Sequence, residues 1–95
     1  MARKIDIARV YTHNIVERSL ESDEDFIAEV CFAKNTAVES GEWVANQAVQ
    51  LFGGLGYMRE SEVERQYRDM RILGIGGGTT EILTGLAAKR LGYQA

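Results

Sequence analysis

Between Ile27 and Leu51 the apolar and small residues Ile27, Val30, Cys31, Ala37, Gly41, Val44, Ala48 and Leu51 recur at helical spacing. That is a stripe of roughly seven turns at about 3.6 residues per turn. Most helical stability comes from packing of the apolar face rather than from propensity, so a stripe this long calls for other helices laid along it. Ala33, Ala37, Gly41, Ala45 and Ala48 would let a neighbouring backbone approach closely, as in a tight bundle. Trp43 is expected to fill a gap near them.

The rest of the chain divides into shorter helical stretches. Proline is absent, and glycines gather at Gly53-Gly54-Leu55-Gly56 and at Gly74-Ile75-Gly76-Gly77-Gly78, which marks turns between helices. A first amphipathic helix, with Ile5, Ala8, Tyr11 and Ile15 as its stripe and Ile7 and Val10 widening it, is predicted to run to about Arg18. Ser22 with Asp25 resembles a capping box that would start the long helix there. The first glycine cluster should end that helix, because glycine closes a carbonyl end through a left-handed conformation at little cost.

Ser61 with Glu64 resembles a second capping box, opening a short helix with Val63, Tyr67 and Met70 on one side and Glu64–Arg68 and Arg65–Asp69 as ion pairs. Thr79 and Thr80 can cap a last helix whose stripe is Ile82, Leu83, Leu86, Ala87 and Leu91, with Gly92 closing it. The fold class is all-α: an up-and-down bundle of about four helices, residues 1–95 forming a single domain. At 95 residues it lies near the low end of sizes that fold without disulfides or metals, so a partner surface would help it.

Composition narrows the function classes. Apolar residues form 45% and charged residues 26% of the chain, too apolar for a disordered segment. A formal net charge of −3 attracts no polyanion, so no nucleic-acid partner is expected. The sequence starts with charge among its apolar residues and has neither a signal-peptide core nor a membrane-spanning run; a cytoplasmic or matrix location follows as an expectation. Cys31 reads as a small core side chain. His13, the single histidine, has no partner at ligand spacing, so no metal site is expected and His13 belongs on a helix surface.

Several residues could carry chemistry, each with a plainer structural alternative. Gly74 to Gly78 superficially resembles a dinucleotide fingerprint, but Thr79 stands where the third glycine is required and the preceding segment is helical rather than a strand. A glycine turn opening a helix at Thr79 could hold an anion or a ribose, or be an ordinary capped turn. Gln50 lies one turn before Gly53-Gly54, where its amide could reach past the helix end and a ligand could touch backbone, or it could be a solvated side chain. Arg65, Arg68 and Arg71 are balanced by Glu62, Glu64 and Asp69, which favours a structural ion-pair network. Glu81 sits where a helix N-terminus favours an ionised carboxylate, which fits hydrogen bonding better than proton abstraction.

Taken together, Gln50-Leu51-Phe52-Gly53-Gly54-Leu55-Gly56-Tyr57, Val63-Glu64-Arg65 with Tyr67-Arg68-Asp69-Met70-Arg71-Ile72, and Gly78-Thr79-Thr80-Glu81-Ile82 resemble in order and spacing the C-terminal signature of acyl-CoA dehydrogenases. The likeness extends through Ala33-Lys34 and back to Arg3–Arg9, essentially the whole chain. Glu62 stands where a proline is common in the family.

The resemblance implies a C-terminal helical domain, about the last quarter of a flavoenzyme. Such an enzyme dehydrogenates an acyl-CoA thioester across its α,β bond: a carboxylate removes the α-proton and FAD accepts hydride. It also implies electron-transfer flavoprotein as electron acceptor and a homo-oligomer, a tetramer in the family. By position, Gln50, Gly53 and Gly54 resemble contacts to the FAD of a neighbouring subunit. Thr79 and Glu81 resemble residues that hold the adenosine and diphosphate region of FAD, and Gly78 a backbone contact to substrate. Gly77 occupies the usual position of the catalytic Glu, as in relatives that resemble isovaleryl-CoA and long-chain acyl-CoA dehydrogenases, so no catalytic residue is expected in this chain and the base would come from an earlier helix. A non-enzymatic helical oligomerisation module, or an acyl-CoA oxidase or flavin monooxygenase of the same fold, remains as an alternative.

Overall fold

In the computed structural model, which describes residues 1–93, the chain is helical throughout. Helix α1 is Ala2–Glu21, α2 is Ile27–Phe52, α3 is Gly54–Tyr57, α4 is Glu62–Arg71, a 3-10 turn covers Ile72–Gly74, and α5 is Thr80–Arg90. The 26-residue α2 is the spine, and α1, α4 and α5 all pack on it. The result is an elongated slab of 48 × 29 × 17 Å.

Each contact with α2 is made by a narrow row of side chains. Helix α5 brings buried Ala87 and half-buried Leu83 and Leu86 against Ala28 and Cys31. Cys31, 3% exposed, is thus the small core residue its neighbours implied. Helix α1 buries Ile15. At Gly41 the Met70 side chain of α4 occupies the space a Cβ would need, so the small-residue stripe works as a slot at this point. His13 is exposed, as expected of a helix-surface residue.

Tertiary packing departs from the periodicity in several places. Ile5, Ile7 and Val10 are exposed, and α1 extends past Arg18 to Glu21; only the side facing α2 is covered, narrower than the apolar stripe. Trp43 does not fill an interior gap: it is 41% exposed, with the Lys4 ammonium 5.0 Å from its ring centroid. Ile82 and Leu91 are exposed as well, because α5 has a single packed side.

Neither predicted capping box forms. Ser22 Oγ accepts from the Glu24 amide at 3.1 Å, inside the turn. The α2 amide of Ile27 instead donates to Asp25 Oδ1 at 2.9 Å, and the other Asp25 oxygen accepts from Arg90 at 3.0 Å. One carboxylate therefore starts α2 and ties it to the last turn of α5. Ser61 precedes α4 without a side-chain cap; Glu64 is drawn to Arg68 at 2.6 Å instead. Thr79 does cap α5, accepting from Ile82 N at 3.1 Å. The additional helix, α3, arises inside the first glycine cluster, where a turn alone was expected.

Candidate functional site

The first candidate segment is the C-terminal end of α2. Gln50 is exposed in its last turn, and its carbonyl accepts from the Gly53 amide at 3.1 Å. Gly53 then turns the chain with φ 61° and ψ −140°, a region open essentially to glycine. Gly53 and Gly54 are exposed, with nothing within 4 Å of where a Cβ would stand. Together they present uncovered backbone on which a flat ligand can lie. Gly56 has the opposite setting: it is buried, and a Cβ there would meet the Val49 carbonyl oxygen at 2.6 Å.

The second segment, from Gly74 to Glu81, is built against the middle of α2. Gly74 is buried, the position of its missing Cβ lying 3.1 Å from Glu42 Oε1 and 3.6 Å from Val38 Cγ1. Gly76 closes on the Ile72 carbonyl at 2.7 Å. Gly77 and Gly78 follow with φ of 70° and 100°. Lys34, from α2, donates through Nζ to the Gly76 carbonyl at 2.9 Å and to the Gly78 carbonyl at 2.7 Å. Next to it Asn35 donates to the Thr80 carbonyl at 3.3 Å and to Thr84 Oγ1 at 3.2 Å. The turn and the first turn of α5 are thereby sewn to the spine.

Thr79 and Glu81 share a cleft of about 330 Å³ with Glu39, Glu42, Arg71 and Thr80. Arg71 Nη1 lies 3.8 Å from Glu42 Oε1. Glu39, Glu42 and Glu81 outnumber the single cation in this lining, so the cleft suits a group that donates hydrogen bonds, such as the hydroxyls of a ribose, better than a phosphate. Glu81 is exposed. Gly77 is exposed, without side chain and with open space where a Cβ would be, so position 77 has nothing with which to take a proton.

Of the three arginines of α4, Arg65 and Arg68 pair within their own helix, whereas Arg71 faces Glu42 of α2. Arg65 binds Glu62 and, at 3.1 Å, Asp69. The hydrogen bond from Arg65 holds the Glu62 carboxyl below its ordinary range, and hydrogen bonds to Glu62 and Glu64 raise Arg65 and Arg68 respectively. Elsewhere, burial and then Glu29 push the Tyr11 phenol up. Among the described residues no group of three or more His, Cys, Asp or Glu is arranged to hold a metal ion, and no helix is long and apolar enough to cross a membrane.

The two candidate segments do not meet. The cleft of Thr79 and Glu81 includes Glu42, which lies 8 positions before Gln50 on the same helix, about 12 Å at roughly 1.5 Å per residue.

Residues 1–92 match the family profile described as acyl-CoA dehydrogenase, C-terminal domain. The chain belongs to the acyl-CoA dehydrogenase family. A Mycobacterium smegmatis crystal structure from this family is 80% identical, superposes with a TM-score of 0.96, and is matched over 100% of this chain and 25% of its own. The mitochondrial short-chain specific acyl-CoA dehydrogenase of Sus scrofa is 39% identical over 82 residues, 86% of this chain and 20% of the relative. A 3-sulfinopropanoyl-CoA desulfinase of Variovorax paradoxus is 38% identical over 97 residues, 99% of this chain and 23% of the relative. The chain thus spans between a fifth and a quarter of the length of these acyl-CoA dehydrogenase relatives.

Lys34, Asn35 and Glu42 were not singled out as site residues by the sequence reading. A signal for Lys34 was present: it lies three residues after Cys31 and four before Val38, both buried, which puts a charged side chain on the core-facing side of α2. A charge at such a position needs a partner, and the second glycine turn supplies two carbonyls.

Proposed function

We propose that this chain forms one wall of an FAD-dependent enzyme acting on acyl-CoA thioesters, and that its two glycine turns touch two different flavin nucleotides. Gln50, Gly53 and Gly54 would lie against the FAD of a neighbouring subunit. Thr79 and Glu81 would hold the adenosine side of the FAD in the chain's own subunit, with the Gly78 backbone against substrate. The observation that carries the reading is the uncovered backbone of two separate glycine turns, one at the exposed end of α2 and one beside the cleft of Thr79 and Glu81; contact of the first with a neighbouring subunit's FAD would require a homo-oligomer. The residues fit the group. Open space over Gly53 and Gly54 admits a flat ligand, and the acidic lining beside Thr79 suits ribose hydroxyls.

When bound, FAD supplies the hydride acceptor, and electrons would pass on to an electron-transfer flavoprotein. The chain's own part is to position and to exclude water, since Gly77 supplies no base; the α-proton would be taken by a carboxylate outside residues 1–95. By this reading the 95-residue chain alone is inactive. The full-length protein containing it, mixed anaerobically with saturated acyl-CoA thioesters from butyryl-CoA to palmitoyl-CoA, should bleach its flavin absorbance. Binding FAD yet keeping it oxidised with every thioester would end the proposal.

A second reading keeps the fold and changes the reaction: an oxidase or monooxygenase, or the kind of C–S chemistry named in the desulfinase relative. Consumption of oxygen by the reduced enzyme, or release of sulfite from 3-sulfinopropanoyl-CoA, would favour it. A third, a purely oligomerising helical module, draws on the apolar corner of Leu51, Phe52, Leu55, Tyr57 and Met58, all exposed. Such a patch marks a contact surface. Full-length protein that self-associates but takes up no FAD would favour that module.

A further inference from the structure

We propose that Lys34 is a positioning residue for the Gly76–Gly78 turn, holding two carbonyls inward so that the amides of Gly77 and Thr79 face the ligand as a pair of donors. This rests on the flavoenzyme reading above, although the geometry belongs to the chain's own backbone. In a trans peptide the C=O of one residue and the N–H of the next point in opposite directions, and the described chain has no cis peptide bond. With the Gly76 and Gly78 carbonyls bound to Lys34 Nζ at 2.9 and 2.7 Å, the Gly77 and Thr79 N–H groups are turned away from α2. Neither has an acceptor among the described residues.

The arrangement is rigid for a reason that can be read from α2. Cys31 and Val38, one turn to either side of Lys34, are buried, so the lysine stem leaves a packed surface. Its ammonium is shared between carbonyls 42 and 44 residues away in sequence. Gly77 and Gly78 accept the positive φ values this needs. Two backbone donors turned the same way, off α2, before a ligand arrives are a preorganised site for an acceptor oxygen. That oxygen could come from the nucleotide or from the thioester.

The full-length holoenzyme carrying Lys34→Met tests this, with Ala87→Gly as the control. Ala87 is 1% exposed in the α2–α5 contact and touches neither turn nor ligand; its replacement weakens the same helix pair. The expected result for Lys34→Met is a loss on the order of tenfold to hundredfold in kcat/KM for an acyl-CoA or in FAD affinity of the apoprotein, because misdirected donors forfeit part of what a deleted one costs. The control should stay within about twofold on both measures, as a stability change away from the site predicts. A rise in KM with FAD affinity unchanged assigns the acceptor oxygen to the thioester, and the reverse assigns it to the nucleotide.

Unchanged values in Lys34→Met, or equal losses in both variants at equal depression of Tm, overturn the proposal. Should Lys34→Met not fold, Lys34→Gln keeps a neutral donor able to reach one carbonyl, and native kinetics and FAD affinity in that variant also overturn it. Native protein that binds FAD but reacts with no thioester sinks the proposed function while the FAD-affinity comparison still decides the role of Lys34.

Discussion

The two glycine turns solve one problem, reversing the chain beside a long helix, by different physical means. At Gly53–Gly56 the hold is steric: buried Gly56 lets α3 sit on the Val49 carbonyl, while Gly53 and Gly54 face open space. At Gly76–Gly78 the hold is electrostatic, an ammonium from α2 gripping two carbonyls. The first turn therefore depends on the absence of one side chain and leaves its outer backbone free. The second depends on a distant charge, and its outer amides are aimed as a consequence. A surface that must accommodate another subunit can afford the first kind, whereas a surface that must present donors at a fixed angle requires the second.

Substitutions can break this contrast, the largest effect being expected at Gly56→Ala. Its new methyl would stand 2.6 Å from a backbone oxygen and 3.0 Å from Phe52 Cβ, so α3 must lift from α2. A loss of about 2–3 kcal/mol is expected, typical of overpacking where the neighbour is backbone, read as a lower Tm.

Gly78→Ala comes next. It combines φ of 100° with a Cβ 3.0 Å from Leu83 Cδ2, and Leu83 is a flexible side chain that can give way. Thermal unfolding should register about 1–2 kcal/mol, mostly backbone strain. A cost above that of Gly56→Ala would reverse the steric-versus-electrostatic contrast.

Within the first turn, Gly53→Ala should cost about 1–3 kcal/mol from its backbone conformation alone. Gly54→Ala, with open space and an unstrained backbone, should be neutral or stabilising by up to about 0.5 kcal/mol. Equal effects at the two positions would show that the turn is not fixed by the Gly53 conformation.

The smallest expected change is in α4. Glu62 is held below its ordinary range by Arg65, so the pair's contribution is complete above the usual carboxylate range and is lost as pH falls through the lowered value. A fall in amide-exchange protection, measured against the intrinsic rate, at the start of α4 under acid and absent in Glu62→Gln is the expected result.

Much of the fold was legible because its signals are local. The helical spacing from Ile27 to Leu51, the cap at Thr79 and the ion pairs of α4 involve residues within a turn or two of one another, and each is present. The capping boxes at Ser22 and Ser61 misled for an equally local reason. Their hydroxyls and carboxylates had competing partners, in Glu24 N for the first and Arg68 for the second, and sequence pattern does not rank such competitors. Trp43, Ile82 and Leu91 are apolar at helical spacing, yet all three are exposed and none joins the buried core.

By itself the sequence determined that the chain is helical and which glycine clusters turn it, since these depend on backbone sterics and neighbours a few positions away, while the exact helix ends did not follow from it. It also carried, through the order of its motifs, the acyl-CoA dehydrogenase family. Tertiary structure alone decided that Lys34 would meet the second glycine turn, that Asp25 would serve two helices, and that Thr79 and Glu81 would share a cleft with Glu39 and Glu42 of α2. Those outcomes depend on which faces of the helices meet, and a periodic pattern gives each helix an apolar side without saying which partner covers it.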